Sequence, residues 1–100
     1  MELKKYGKFT ARGFEWTDST SYSRNAPEQI PTMFNAQIGE LKITITNGHV
    51  HYRGEFIFHC FNIGLESVRL PGATNHTEAA EMAFDACRAK VEAMYKAFQV

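Results

Sequence analysis

Apolar and polar residues alternate along residues 41–60, LKITITNGHVHYRGEFIFHC, on both sides of Asn47 and Gly48. An Asn-Gly pair between two such runs is a strong hairpin signal, because a type I′ turn needs positive φ at both central positions. The pattern therefore predicts a central hairpin over residues 41–60, in which Ile45 faces Val50. One face of this sheet is predicted to be core and the other to be solvated.

The pattern predicts further strands on either side of this hairpin. Residues 9–16 are dotted with aromatic side chains and predict a strand bent at Gly13. The first arm of the hairpin is predicted to begin at residue 32, with Gly39 marking a bulge or a close backbone approach. Residues 65–70 predict a short last strand after a turn.

Residues 56–63 leave little polar surface on either face of the predicted third strand. A strand that is apolar on both sides is usually central and covered. Two interpretations therefore stay open for the outer face near Ile38, Ile57 and Phe61. Either a second element of the chain covers this patch, or the patch is an interface.

Residues 75–98 have helical periodicity and predict one long C-terminal helix. Asn75 is the predicted N-cap, and Glu78 at the third helical position completes a capping box. About 22 residues at about 1.5 Å each give a helix of about 33 Å, long enough to cross the core face of the sheet. The predicted core stripe consists of Ala80, Phe84, Cys87, Val91, Met94 and Phe98.

A second stripe on the same helix lies roughly 135° from the first and is almost entirely alanine. Its members are Ala79, Met82, Ala86, Ala89, Ala93 and Ala97. Alanine is the best helix former, so it fills surface positions without any further role. Alternatively, the small side chains let another backbone approach closely. That alternative predicts a homodimer through Ala79, Ala86, Ala89 and Ala93.

These elements predict a single α+β domain over residues 1–100, with a three- to four-stranded antiparallel meander sheet and one long C-terminal helix packed on one face. Residues 17–31 are polar and rich in Ser and Thr, and they predict a long loop that is either a binding loop or a flexible linker. Tyr22 and Arg24 are its candidate contact residues, because Tyr and Arg are enriched among interface anchors.

Composition excludes some classes of function. Eleven basic and eleven acidic side chains cancel, which argues against non-specific binding to nucleic acid or to anionic membranes. The N-terminal segment is nevertheless basic and aromatic, a combination that can bind single strands through phosphate contacts and stacking. It is otherwise an edge strand guarded by lysines. The nucleic-acid alternative relies on Lys4, Lys5, Lys8 and Arg12.

The two cysteines do not suggest a disulfide framework. Cys60 lies in an apolar strand and Cys87 on the apolar face of the helix, so both are predicted to be core residues of a reduced protein. The N-terminus shows no apolar leader, and no run approaches the length of a membrane span. The expectation is a soluble, cytoplasmic protein.

The four histidines raise the question of a metal site. His49 and His51 share the solvated face, but His59 is predicted to lie about 27 Å from His51 along the strand. Zinc needs three or four ligands, and the cationic pair Lys42 and Arg53, opposed in the predicted register, would repel the ion. The prediction is therefore that the protein holds no metal and no cofactor.

The chain has no motif that carries catalytic chemistry. A Cys/His nucleophile is not expected, because Cys60 is predicted to point into the core while His59 points outward. There is no Gly-rich phosphate loop, no nucleophile elbow and no pair of carboxylates in distinct environments. The expectation is a protein that is not an enzyme. Its candidate partner-binding residues are Tyr22, Arg24, Lys42, His49, His51 and Arg53.

Residues 38–98 combine a strand pair, a glycine-bounded turn and the helix entry GAT…TEAAEMA at residues 72–83. In this layout the chain resembles small phage- or prophage-encoded proteins of the anti-CRISPR type. The resemblance implies a protein-binding inhibitor that sterically blocks a host defence or nucleic-acid-handling complex, so the expected partner is a host protein or a ribonucleoprotein complex. A self-assembling phage component is an alternative. The segment order is also similar to double-stranded-RNA-binding-like and HicB-like domains. However, Glu78 and Glu81 stand at the helix start, where an RNA-binding domain would carry lysines.

Overall fold

A computed structural model describes residues 5–22 and 30–99 of the chain. Its elements are β1 (Lys8–Ala11), β2 (Phe14–Asp18), β3 (Met33–Ile38), β4 (Leu41–Thr46), β5 (Ile57–Cys60), a 3₁₀ turn (Phe61–Ile63), β6 (Leu65–Arg69) and α1 (His76–Ala97). The strands form one antiparallel sheet in the order β1-β2-β3-β4-β5-β6, so the meander of the α+β prediction is confirmed. The predicted number of three to four strands is wrong, because the described residues form six.

The first predicted strand is two strands joined by a tight turn. Ala11 pairs with Phe14, which leaves Arg12 and Gly13 as the two turn residues. Both have positive φ, 54° and 80°, as a type I′ turn requires. An Arg-Gly pair is a weaker turn signal than Asn-Gly, because arginine rarely adopts positive φ. The sequence therefore predicted only a bend at Gly13.

Gly39 is likewise a turn residue rather than a bulge. Ile38 pairs with Leu41 across the turn, and Gly39 has a φ of 60° at the first turn position. Glycine is the residue that type II′ turns place there. The strand predicted over residues 32–46 is therefore two strands, β3 and β4. These two missed turns account for the extra strands.

The predicted two-residue turn at Asn47 and Gly48 is wrong. Thr46 pairs with Ile57, so β4 and β5 are joined by residues 47–56, and neither Asn47 nor Gly48 has positive φ. The Asn47 N–H donates to the Thr32 carbonyl oxygen at 3.2 Å. A Cβ on Gly48 would lie 2.9 Å from Thr32 Oγ1. Contact with Thr32 therefore takes the place of the local turn.

The predicted cross-strand pairs of this hairpin are wrong as a consequence. Ile45 faces Phe58 rather than Val50, and Lys42 faces Gln37 rather than Arg53. The division of β4 into a core face and an outer face is nevertheless as predicted, because that alternation depends only on position within the strand.

Residues 47–56 fold back over the outer face of the sheet, which is the face turned away from α1. Ile57 points to this face and is 0% exposed. The His49 ring of the loop lies 6.3 Å from that of His59, which shares the face with Ile57. A covering element therefore explains Ile57, whereas Phe61 stays 68% exposed.

The core lies between large side chains of the sheet and small side chains of α1. The large ones are Trp16, Phe34, Ile43, Ile45 and Phe58. The small ones are Ala79, Ala80, Ala83 and Cys87. The buried indole of Trp16 donates a hydrogen bond from Nε1 to the Ala11 carbonyl oxygen at 3.2 Å, so its polar atom is satisfied.

The start of α1 is as predicted. Asn75 is the N-cap, and its Oδ1 accepts a hydrogen bond from the Glu78 N–H at 2.9 Å. The Glu78 carboxylate reaches back one residue further than a standard capping box and accepts from the Thr74 N–H at 2.9 Å. Its hydrogen bonds to Thr74 lower the pKa of Glu78.

In the first half of the predicted core stripe Ala80 and Cys87 are buried and Phe84 is half-buried, whereas the second half is exposed. Cys87 is 2% exposed, but Val91 and Met94 are 40% and 41% exposed and Phe98 is 89% exposed. From residue 88 to residue 99 every position of α1 and its C-cap is exposed. The predicted helix is confirmed, but it is longer than the part of the sheet that it covers.

The alanine stripe is divided between core and surface. Ala79 is 0% exposed and belongs to the core of the monomer, so it is not available for the homodimer face predicted from the sequence. Ala86 is partly buried against the core. Ala89 and Ala93 are exposed. Short side chains at Ala79 let the helix approach the sheet, which places this edge of the stripe in the core.

Arg12 links the β1–β2 turn to α1 through an ion pair with Asp85. Its Nε and a terminal nitrogen donate to the two carboxylate oxygens of Asp85 at 3.1 and 2.9 Å, in bidentate geometry. Glu81 lies 3.5 Å from the same guanidinium. The hydrogen bonds from Arg12 lower the pKa of Asp85.

Replacing Ile57 with alanine is expected to lower the free energy of unfolding by about 2–5 kcal/mol, because the change leaves a cavity beneath the loop. Val50 in that loop is 65% exposed, and Val50→Ala is expected to change it by less than about 0.5 kcal/mol. Urea denaturation at pH 7 measures both variants. An Ile57→Ala variant as mild as the Val50→Ala control would mean that the loop does not cover Ile57.

Candidate protein-interaction surface

Three histidines come together on the outer face of the sheet. The His49 ring lies 5.5 Å from that of His51 and 6.3 Å from that of His59. The sequence-based distance between His51 and His59 was wrong, because it assumed one extended strand. The fold-back of residues 47–56 brings the loop histidines to β5.

His59 is held in place by backbone and by a neighbouring ring. Its Nδ1 accepts a hydrogen bond from the Ser67 N–H at 2.9 Å, and its ring stacks on Phe61 at 5.2 Å between centroids. Ser67 has a φ of 50°, and the β5–β6 register shifts between Phe58 and Cys60. This irregularity frees the Ser67 N–H from the strand ladder and directs it to the imidazole.

The same contact determines the tautomer of the neutral His59 ring. Because Nδ1 is the acceptor, the neutral ring carries its proton on Nε2. Burial lowers the pKa of His59, the neighbouring His49 lowers it further, and Glu66 opposes both effects. His49 is held in a similar way, since its Nδ1 accepts from the His51 N–H at 3.1 Å.

Tyr52 and Arg69 complete the cluster. The Tyr52 ring lies 5.3 Å from the His49 ring, and the Arg69 guanidinium lies 5.3 Å from the Tyr52 ring centroid. Arg69 also lies 3.9 Å from a Glu55 carboxylate oxygen. We define the histidine patch as His49, Val50, His51, Tyr52, His59, Phe61 and Arg69.

Of the partner-binding residues predicted from sequence, His49 and His51 lie in the histidine patch. Arg53 is exposed in the same loop. Lys42 is exposed on β4, where its backbone N–H donates to Asn62 Oδ1 at 3.0 Å. No pattern in the sequence indicates Arg69, which joins the patch because β6 pairs with β5.

Tyr22 lies four residues after β2, beside Asp18 at the end of that strand. Its hydroxyl donates a short hydrogen bond to Asp18, and its ring packs edge-on against Tyr6 at 5.2 Å. The Lys5 ammonium lies 4.8 Å from the Tyr22 ring centroid. Tyr22 is thus part of a local cluster and does not join the histidine patch. Arg24 lies outside the described residues.

The basic residues of the nucleic-acid alternative are largely engaged with other groups. Lys8 lies 3.3 Å from Glu15, and Arg12 holds Asp85. Lys5 lies over two tyrosine rings. Lys4 lies outside the described residues. The phosphate-binding capacity that the sequence predicted is therefore reduced by neighbouring carboxylates.

His76, at the first position of α1, is half-buried. Its ring lies between Phe34 and Phe56, at 5.0 and 4.9 Å from their centroids. Its Nε2 is 3.1 Å from the Thr32 carbonyl oxygen. Burial lowers the pKa of His76, against the opposing effects of Thr32 and Asp18.

A cleft of about 840 Å³ opens beside the start of α1. Three of its polar side chains already make hydrogen bonds, whereas the Oδ1 of Asn47 is buried without a partner among the described residues. Asn75 caps the helix, Glu78 is bonded to Thr74, and His76 is bonded to Thr32. No pair of groups here has the arrangement of a nucleophile and its base.

The cysteines and the other metal-ligand types offer no reactive centre within the described part of the chain. Cys60 and Cys87 are both free and buried. Burial, with Cys60 as its neighbour, raises the pKa of Cys87 to about 12, so its thiol is protonated at neutral pH. Residues 5–22 and 30–99 contain no group of three or more His, Cys, Asp or Glu placed to hold a metal ion.

Two further observations bear on the class of protein. No helix in the described ranges has both the length and the apolar character needed to cross a membrane. No protein-family model, curated protein or solved structure matches this chain.

Stability is expected to fall as the pH drops below about 6.5, the ordinary histidine pKa. His59 and His76 have lowered pKa values when folded, so the unfolded chain binds their protons first. Their contribution is complete above pH 6.5 and is lost as the pH falls through the folded-state values. Urea denaturation between pH 7.5 and pH 5.5 measures this slope.

His59→Asn supplies the control, because an Asn side-chain oxygen can accept the Ser67 N–H without titrating. This variant is expected to lose part of the pH slope and to keep the slope that His76 contributes. An unchanged slope in His59→Asn would show that His59 does not have a lowered pKa in the folded protein.

Proposed function

We propose that the protein is a non-enzymatic protein-binding module and that the histidine patch is its contact surface. The observation that carries this proposal is the exposure of Phe61 and Val50, 68% and 65%, beside histidine rings held by backbone hydrogen bonds. Large apolar side chains next to ordered aromatic and cationic groups are characteristic of interfaces.

The side chains of the patch are already ordered in the free protein, which favours binding. Side chains that lose rotamer freedom on association cost about 0.5–1.5 kcal/mol each. The imidazoles of His49 and His59 are already fixed by hydrogen bonds from backbone N–H groups, and Phe61 is stacked on His59. A partner that covers them therefore meets a surface whose conformational entropy has largely been lost on folding.

The proposed mode of action is steric. No step of chemistry is needed if a rigid sheet face occupies a surface that another macromolecule uses. The resemblance to small phage-encoded inhibitors makes a host defence complex the proposed target of such blocking. The alternative of a nucleic-acid-binding regulator is supported less well, because Lys8 and Arg12 are paired with carboxylates.

An affinity pull-down of the tagged protein from bacterial lysate, with and without nuclease, tests this proposal. The expected result is one stoichiometric protein partner that survives nuclease. Recovery of nucleic acid alone, or loss of every partner on nuclease treatment, would instead support the regulator.

Phe61→Ser is expected to weaken binding of that partner by about 30-fold, the loss typical of an interface hot spot. Gln37→Ala supplies a control on the same outer face, since Gln37 is exposed and lies on β3, away from the patch. Calorimetric titration with the recovered partner measures both. Equal affinities for the Phe61→Ser and Gln37→Ala variants would rule out the patch as the contact surface.

A further inference from the structure

The last turns of α1 extend beyond the sheet with their apolar face uncovered. We call residues 88–98 the helix extension. Its exposed apolar side chains are Val91, Met94, Tyr95 and Phe98, at 40%, 41%, 66% and 89% exposure. Val91, Met94 and Phe98 continue the face on which Cys87 is buried, because their spacings are four, three and four residues. The apolar face of the helix extension therefore resembles a face that packs in a core, but no described residue covers it.

An apolar groove lies at the base of the helix extension, between α1 and the β3–β4 hairpin. Its volume is about 210 Å³. Its apolar lining residues are Ile38, Leu41, Ile43, Phe84, Cys87 and Val91. An apolar cavity of about 150 Å³ is large enough to bind benzene, so this groove is large enough to hold one aromatic ring.

The groove lies beside one part of α1 and the exposed Phe98 ring lies at its end, so two copies of the chain can complement each other. Cys87 in the groove and Phe98 at the tip are separated by about three turns, or about 16 Å. A two-fold axis that crosses the helix midway, between Val91 and Met94, places Phe98 of each copy over Cys87 of the other. An isologous contact of this kind closes after two copies.

We propose that the protein forms an antiparallel homodimer in which the helix extensions pack face to face and Phe98 of each copy enters the apolar groove of the other. This inference concerns a different surface from the histidine patch and stands independently of the proposed function. The occupant is a second copy because this chain itself carries both complementary parts, the ring and the groove.

The helix dipoles favour the antiparallel arrangement. Parallel packing would bring the two negative C-terminal ends together, whereas antiparallel packing about the midpoint separates them by about 16 Å.

The area available indicates a weak dimer. Aromatic side chains bury about 150–250 Å² each, and each copy contributes Tyr95 and Phe98, which are mostly exposed in the monomer. With Val91, Met94 and the groove walls, the total is on the order of 1,000 Å², the lower end for specific complexes. The dissociation constant is expected in the micromolar range.

Sedimentation equilibrium between about 1 and 100 µM tests the proposal across the expected range. The expected result is a shift from monomer to dimer in the unmodified protein, and at least about a tenfold weaker dimer in Phe98→Glu. Phe98 is 89% exposed, so the substitution is compatible with folding, which circular dichroism verifies. A protein that stays monomeric at 100 µM overturns the proposal.

Ala89→Glu is the matched control. Ala89 is exposed and lies about 180° around the helix from Phe98, at about 100° per residue, and the change adds the same charge. This variant is expected to dimerise like the unmodified protein. If Ala89→Glu abolishes the dimer and Phe98→Glu does not, the alanine stripe is the interface and the proposal is wrong.

The orientation is tested by a spin label at Gln99→Cys, because the native cysteines are buried. Antiparallel packing separates the two labelled positions by about 20 Å along the helix axes. Parallel packing brings them within about 10 Å. A distance between labels in the shorter range overturns the antiparallel arrangement.

Discussion

The close approach of α1 to the sheet is the constraint on which the rest of the structure depends. Ala79, Ala80 and Ala83 are fully buried, and their short side chains let the helix lie near the large residues of the sheet. The interior stays closely packed, because large side chains of the sheet meet small side chains of the helix. Two other features follow from this position of the helix on the sheet. The β1–β2 turn comes within ion-pairing distance of α1 through Arg12, and His76 reaches its aromatic neighbours.

The two surfaces that we assign to binding arise from opposite deviations from a simple sheet-and-helix layer. At the histidine patch an additional loop, residues 47–56, folds over β5 and brings His49 close to His59. At the helix extension α1 continues where no strand of the described residues lies beneath it. A dimer through the extension would present two patches at once, and a partner with repeated sites would then be bound with a large gain in effective concentration.

Local signals in the sequence predicted the elements whose determinants are local. The N-cap at Asn75 was correct because its hydrogen bond joins residues three apart. The predictions that failed concern features that are set by contacts between residues distant in the sequence. Gly48 was read as a turn residue, but its conformation is set by Thr32. The proposed patch includes His49 and His51, which were candidates from the sequence, whereas the approach of His59 depends on a ten-residue loop whose path no periodicity encodes. Exposure of Phe98 was missed because a periodic stripe reveals which face is apolar but not how far its partner extends.

The meander topology has a consequence for how the chain is made. All six strands precede α1 in the sequence, and each pairs only with its neighbours. During synthesis the large apolar side chains of the sheet are therefore present before the helix that covers them. At about 5–20 residues per second, the roughly 25 residues of the helix and its cap take on the order of one to five seconds to add. During this interval the strands lack the helix that covers their aromatic face in the folded protein.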